Sequence, residues 1–136
     1  MKRKISPSSV SIRTELEPGD LGYIIHRHGK LYHQEYGYGT AFEAYVAEGL
    51  TELSRLLDPD KESVWICEHK GKIVGFLALA QRNEETAQLR YFYLEPEYRA
   101  IGLGKRLMDL FMKRLDECGY TSAFLWTTNE QTEAAK

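Results

Sequence analysis

Arg99, Gly102 and Gly104 stand in the order Arg-x-x-Gly-x-Gly, after Leu94-Glu95-Pro96 and before Leu107-Met108. Two glycines one residue apart at the mouth of a helix let the backbone come close to a bulky anion, because no Cβ stands between the amides and the ligand. The first four N–H groups of a helix lack internal partners, and aligned peptide dipoles place roughly half a positive charge at that end. The chemistry on offer is the binding of a diphosphate by main-chain hydrogens. Two other phosphate loops do not fit. A Walker A loop would need glycine at Arg99 and a hydroxyl at Arg106. A dinucleotide fingerprint would need a third glycine at Leu107 and a first strand-helix unit near the N-terminus.

Other reactive side chains are less organised. His26, His28 and His33 are two and five positions apart, which puts them on different sides of a helix, so a metal site is not expected. Cys67 and Cys118 lie far apart without metal-ligand spacing and read as reduced thiols in or near the core.

The elements that must position the loop follow from periodicity. Val10 to Thr14 alternates as a half-buried strand, and Glu17-Pro18-Gly19-Asp20 punctuates it. Leu21, Ile24, Ile25, His28, Leu31 and Tyr32 mark a helix that stops at Tyr36-Gly37-Tyr38-Gly39. A second helix carries Phe42, Tyr45, Val46, Gly49, Leu50, Leu53, Leu56 and Leu57 on one stripe, with Thr40 and Glu43 spaced as a capping box and Asp58-Pro59 as the stop. Ser63 to Glu68 and Lys72 to Gln81 read as an antiparallel hairpin around His69-Lys70-Gly71. Gln88 to Leu94 is a strand entering the glycine loop. The helix that follows buries Leu103, Leu107, Leu110, Phe111, Leu115 and Cys118 and ends at Gly119. Ser122 to Thr128 returns as a strand, and strand-helix-strand in one sheet implies a parallel, right-handed pair. Tyr91 and Tyr93 share one face of their strand, suited to an acceptor site or to packing on a helix.

At 136 residues the chain is long enough for one domain that buries about two thirds of its unfolded surface. The formal charge of −2 gives no general attraction to nucleic acid or acidic membrane, and no stretch is long and apolar enough for a span or a signal peptide, so a cytoplasmic protein is expected. The basic start Met1-Lys2-Arg3-Lys4 reads as a solvated terminus.

The loop and its surroundings resemble the coenzyme A pyrophosphate loop of the GNAT acetyltransferase superfamily. The likeness runs from Val10 to Asn129 in the family's element order. It is similar above all to the acetyltransferase half of MarR-GNAT fusion proteins, through His28-Gly29, Leu31-Tyr32, Glu35-Tyr36-Gly37 and Phe42-Glu43-Ala44-Tyr45-Val46. The resemblance implies an α/β fold, a mixed and mainly antiparallel sheet whose parallel strand pair splays at the coenzyme site, with helices on both faces. It implies an N-acetyltransferase using acetyl-coenzyme A and no metal. Arg99, Ala100, Ile101, Gly102, Leu103, Gly104 and Lys105 would hold the pyrophosphate. Phe92, Tyr93 and Leu94 would line the pantetheine arm, the Leu94 N–H would serve as oxyanion donor, and Asn129 would contact the coenzyme. A helix cap is an equal reading of Asn129.

Transfer to an amine also needs a base. Glu35, Glu43 and Glu95 are the candidates, with Glu43 taken first. The resemblance further implies a Tyr-containing helix and two strands after Lys136, so residues 1–136 are expected to be a single domain incomplete at its C-terminus. The expected partner is a small-molecule or protein amine, with no nucleic acid and no membrane, and a homodimer is allowed. The alternative is an acyl-coenzyme A sensor that keeps the cradle without turnover.

Overall fold

A computed structural model describes residues 5–125 of the chain. A five-stranded sheet has the order β1-β2-β3-β4-β5, built from β1 (Ser11–Arg13), β2 (Ser63–His69), β3 (Lys72–Gln81), β4 (Thr86–Leu94) and β5 (Ser122–Leu125). Neighbours pair antiparallel except β4 and β5, which run parallel from Thr86↔Ser122 to Leu89↔Leu125. Helices α1 (Asp20–Tyr36) and α2 (Thr40–Leu56) connect β1 to β2, and α3 (Leu103–Glu117) is the crossover between β4 and β5. The mixed sheet anticipated from periodicity is present.

Both faces of the sheet are covered, and this explains why β3 is apolar nearly end to end, with Ile73, Val74, Phe76, Leu77, Ala78, Leu79 and Ala80 all buried. On one face, Leu103, Leu107, Phe111 and Leu115 recur every fourth residue along α3 and pack on Trp65, Cys67, Leu77, Leu79 and Leu94. On the other, Ile24 and Leu31 of α1 and Val46, Leu50 and Leu53 of α2 cover Ile66, Phe76, Ala78 and Tyr93.

The strand expected from Gln88 begins earlier, at Thr86, because Asn83 Oδ1 accepts the Glu85 and Thr86 N–H groups and closes the preceding turn. The capping box expected at Thr40 and Glu43 does not form. Gly39 is the N-cap, with no side-chain cap bond. The Glu43 carboxylate instead lies over α1, where a Cβ at Gly29 would sit 2.5 Å from Oε1.

Gly49 has a sharper packing role. A Cβ there would lie 1.8 Å from Tyr91 Oη and 2.9 Å from Cζ, so α2 touches β4 through bare backbone. The Tyr91 ring is rigid and half-buried, so relief requires moving the strand or the helix. Gly49→Ala is expected to lower unfolding free energy by about 1–3 kcal/mol despite better helix propensity, which denaturant titration would measure. An unchanged or raised midpoint would refute this contact.

Candidate functional site

Gly102 is the N-cap of α3 at φ +86°, a left-handed conformation that disfavours any side chain. Arg106 N–H is the first to bond within the helix, to Gly102 C=O at 3.1 Å. Helix geometry therefore leaves the N–H groups of Leu103, Gly104 and Lys105 pointing out of the N-terminus, and no acidic residue occupies the first turn. A Cβ at Gly104 would meet Leu94 Cδ1 at 3.5 Å and Phe92 Cζ at 3.8 Å, ordinary contact distances. Position 104 thus borders the end of β4, and only its missing side chain keeps the space between them open.

Strand β4 bends before it reaches this helix. Phe76 pairs with Tyr93 but Ala78 with Arg90, so β4 carries one extra residue, and Tyr91 takes φ +59°. Such a bulge increases local twist and re-aims the strand. Beyond Leu89 the β5-side edge of β4 has no ladder partner among the described residues. Glu95 N–H bonds Val74 C=O at 2.9 Å. In an antiparallel ladder successive residues point to opposite edges, so the Leu94 N–H is directed away from β3, towards that open edge. Leu94 C=O points the same way and accepts Arg99 Nε–H at 3.0 Å. Opposite Leu94 stands Gly75, where a Cβ would come within 2.6 Å of Leu94 Cδ2. Glycine in mid-strand is what lets the Leu94 side chain lie across the sheet there.

Arginine forks hold the loop's flanks. Arg27 on α1 grips Glu95 through Nε and Nη2 at 2.6 and 2.7 Å. Arg99 Nη1 meets Glu35 Oε2 at 2.7 Å while its Nε bonds Leu94 C=O. Lys105 pairs on the surface with Asp109 at 3.0 Å, so the loop's cation side chains are turned outward or onto protein and the inward-facing donors are main-chain. His69 Nδ1 and Tyr98 Oη share a hydrogen bond of 2.7 Å, tying the β2–β3 turn to the residue before Arg99.

These parts enclose a cleft of about 390 Å³ lined by Leu31, Tyr32, Glu35 and Tyr36 of α1 and by Phe92, Tyr93, Leu94, Arg99 and Gly104. A larger cleft of about 620 Å³ lies between the ends of α2 and α3 and touches none of the loop residues. The smaller one has a helix N-terminus and an open strand edge converging on it, so main-chain donors there can meet an anion.

Of the carboxylates, Glu95 has both oxygens on Arg27. Glu35 lines the cleft, while Glu43 is exposed over Gly29 and is not among the lining residues. Asn129 lies outside the described residues. Among the described residues no cluster of three His, Cys, Asp or Glu side chains is arranged to hold a metal. Tyr91 and Tyr93 both pack on the α1–α2 side, as their shared face suggested. The sequence places Tyr32 on the first helix and Glu95 among the candidate bases but assigns no site role to Tyr32, Gly75 or the Arg27–Glu95 fork. Of these only Gly75 carried a local signal, a glycine inside an apolar strand.

His28 sits behind the cleft, 2 % exposed. Its ring stacks on Tyr32 at 5.8 Å and meets Tyr93 edge-on at 5.0 Å. The 2.9 Å contact between Nδ1 and Ile24 C=O requires the proton on Nδ1, so Nε2 of the neutral ring is a bare acceptor. It faces the Tyr91 backbone without meeting hydrogen-bond geometry. Burial pushes the imidazole down to about 4, against a smaller upward pull from the two carbonyls.

The model of the acetyltransferase (GNAT) family matches residues 27–136. An uncharacterized N-acetyltransferase of Chlorobaculum tepidum is 28% identical over 90 residues, which span 64% of this chain and 57% of that protein. The chain thus matches little more than half the length of that relative. An acetyltransferase of Streptococcus agalactiae superposes with a TM-score of 0.73 at 21% identity, covering 93% of this chain and 78% of that one. A "predicted acetyltransferase" of Clostridium acetobutylicum, in a structure with acetyl-CoA, gives 0.68 at 13% identity over 93% of this chain and 89% of that one.

Proposed function

This chain belongs to the acetyltransferase (GNAT) family, and from that membership we propose that it transfers acetyl from acetyl-coenzyme A to a primary amine by direct attack in a ternary complex. The observation that carries the reading is the convergence, on one cleft, of the α3 N-terminus, the unfilled position at Gly104 and the outward-turned Leu94 N–H.

The residues present fit the coenzyme. Main-chain groups from Arg99 to Lys105 would hold its pyrophosphate, and Phe92, Tyr93 and Leu94 would flank the pantetheine arm. Bound there, acetyl-coenzyme A supplies the activated thioester. Leu94 N–H donates where negative charge develops on the thioester oxygen, a role that removal of one donor typically reveals as a 10²–10³-fold loss. Glu43 takes the amine proton through water, since its carboxylate stands off the cleft. Asn129 is proposed as a further coenzyme contact. Both described cysteines, Cys67 and Cys118, are free, and no helix among the described residues is long and apolar enough to cross a membrane. These features support a reducing, cytoplasmic setting.

Calorimetric titration with acetyl-coenzyme A is expected to show one site per chain, and a panel of primary amines should then release free coenzyme A thiol. Binding with no release on any amine would convert the reading to a coenzyme sensor. No binding would remove it.

A further inference from the structure

Helix α1 is fastened to the end of β4 by two ion pairs of opposite sense. Arg27 of α1 donates to both carboxylate oxygens of Glu95, at 2.6 and 2.7 Å. About two turns further along the helix, Glu35 accepts from Arg99 at 2.7 Å. The helix thus presents a cation and then an anion to a loop that presents an anion and then a cation, so sliding α1 by those turns would set like charge against like. Between the pairs, His28 meets the Tyr93 ring at 5.0 Å and Tyr32 Oη donates to Phe92 C=O at 3.4 Å.

The two pairs are unequal. The Arg99 and Glu35 side chains are 43% and 30% exposed, and an ion pair that wet contributes little. Arg27 and Glu95 are 22% and 14% exposed and meet in a two-bond fork, which fixes direction as well as distance. Glu95 carries that grip to its neighbour. Its N–H bonds Val74 C=O and its C=O accepts Tyr98 N–H, both at 2.9 Å, while Pro96 restricts it to the extended backbone it adopts, φ −59° and ψ 142°. The Leu94–Glu95 peptide is held at both ends, by Arg99 Nε at Leu94 C=O and by Val74 at Glu95 N–H. Only the rotations about Leu94 itself separate this fixed peptide from the Leu94 N–H.

We infer that Arg27 is a positioning residue for acetyl transfer: through Glu95 it fixes the Leu94 N–H and holds the α1 wall of the cleft at a set distance from it. This rests on the acetyl-transfer reading and deepens it. It also gives Glu95 a holding role in place of the basic one, since both its oxygens are taken.

The test compares Arg27→Gln, Arg27→Lys, Glu95→Gln and the double Gln variant with the parent. Three quantities are read: calorimetric affinity for coenzyme A, kcat and KM with the fastest amine of the panel, and amide hydrogen exchange at Glu95 by NMR. Affinity for coenzyme A is expected to stay at the parent value, because the loop amides are untouched. In Arg27→Gln, kcat should fall about 10–100-fold, the order expected when a reacting group loses its position. Arg27→Lys should recover only part of that loss, because an ammonium cannot form the fork. Both Gln changes break one contact, so the double variant should be no slower than the slower single. Exchange at Glu95 should quicken about tenfold in Arg27→Gln while amides in the middle of β3 keep the parent rate. If Arg27→Gln fails to fold in a thermal scan, Arg27→Lys and Glu95→Gln carry the comparison. Native kcat, additive losses or unchanged exchange at Glu95 would overturn the inference. So would Glu95→Gln being far slower than Arg27→Gln with the acid limb of its pH–rate profile gone, which would make Glu95 the base. A parent that binds coenzyme A but acetylates no amine would overturn the acetyl-transfer reading instead, and exchange at Glu95 would still decide whether the fork holds the strand end.

Discussion

Gly104→Val is expected to abolish coenzyme binding in a protein that remains folded. The reason lies in where a side chain at 104 would go. Its Cβ lands at contact distance from Leu94 Cδ1 and Phe92 Cζ, so the two methyl groups beyond it fill the space between α3 and the end of β4. That space leads from the helix N-terminus to the Leu94 N–H. The backbone at 104 is helical with no positive φ, so substitution removes a helix-weakening glycine and strains nothing locally. Alanine at 104 should raise stability by up to ~1 kcal/mol and weaken acetyl-coenzyme A moderately. Valine should push affinity beyond calorimetric detection, with turnover falling at least 100-fold, the order expected when reacting groups lose their positioning. Circular dichroism and a thermal scan would establish folding alongside the titration. Gly102 is the wrong site for this experiment, since any side chain there is strained at φ +86° and a loss could come from the loop itself. A folded Gly104→Val protein with native affinity would end the assignment of this loop.

Acidification is expected to remove about 3 kcal/mol of stability through His28 alone, between pH 6.5 and 4. The ring titrates near 6.5 when unfolded and about 4 when buried. Between those values the unfolded state binds the extra proton, so stability falls as pH falls through this window and the loss is complete below it. At 1.36 kcal/mol per unit, the difference gives about 3 kcal/mol. Asp20 acts in a separate range. Burial raises its carboxyl, but the Arg13 fork and the Glu17 N–H outweigh that and leave it lowered. Its contribution is therefore lost only as pH drops below the ordinary carboxylate range. His28→Phe keeps the stacking on Tyr32 and removes the titration. Denaturant unfolding at pH 7, 6, 5 and 4.5 should show a slope in the parent that flattens in the variant. Parallel slopes would mean that His28 gains a proton without penalty.

The glycine loop was readable from the chain because everything it needs is local. The apolar run to Leu94, the spaced glycines and the stripe from Leu103 to Leu115 lie within one strand-turn-helix unit, and helix physics assigns the free amides without reference to the rest of the molecule. The sheet was nearly as legible, since each strand declares itself by alternation or by a short apolar run between turn residues, and each connection by its length. The Thr40–Glu43 capping box failed because Gly39 takes the cap, and Glu43 lies over an α1 surface that a local pattern does not contain.

What tertiary structure alone decided is the other wall of the cleft and the bend that opens it. Arg27 reaches Glu95 across 68 positions and Arg99 meets Glu35 across 64, and no periodicity relates such residues. The extra residue at Tyr91 is invisible in a run of apolar and aromatic side chains, because a bulge is defined by its partner strand. The amino-acid order alone therefore determined which backbone amides could bind an anion. Only the packing of α1 against β4 decided what faces them, because side chains distant in sequence acquire a common environment when the apolar faces between them are buried.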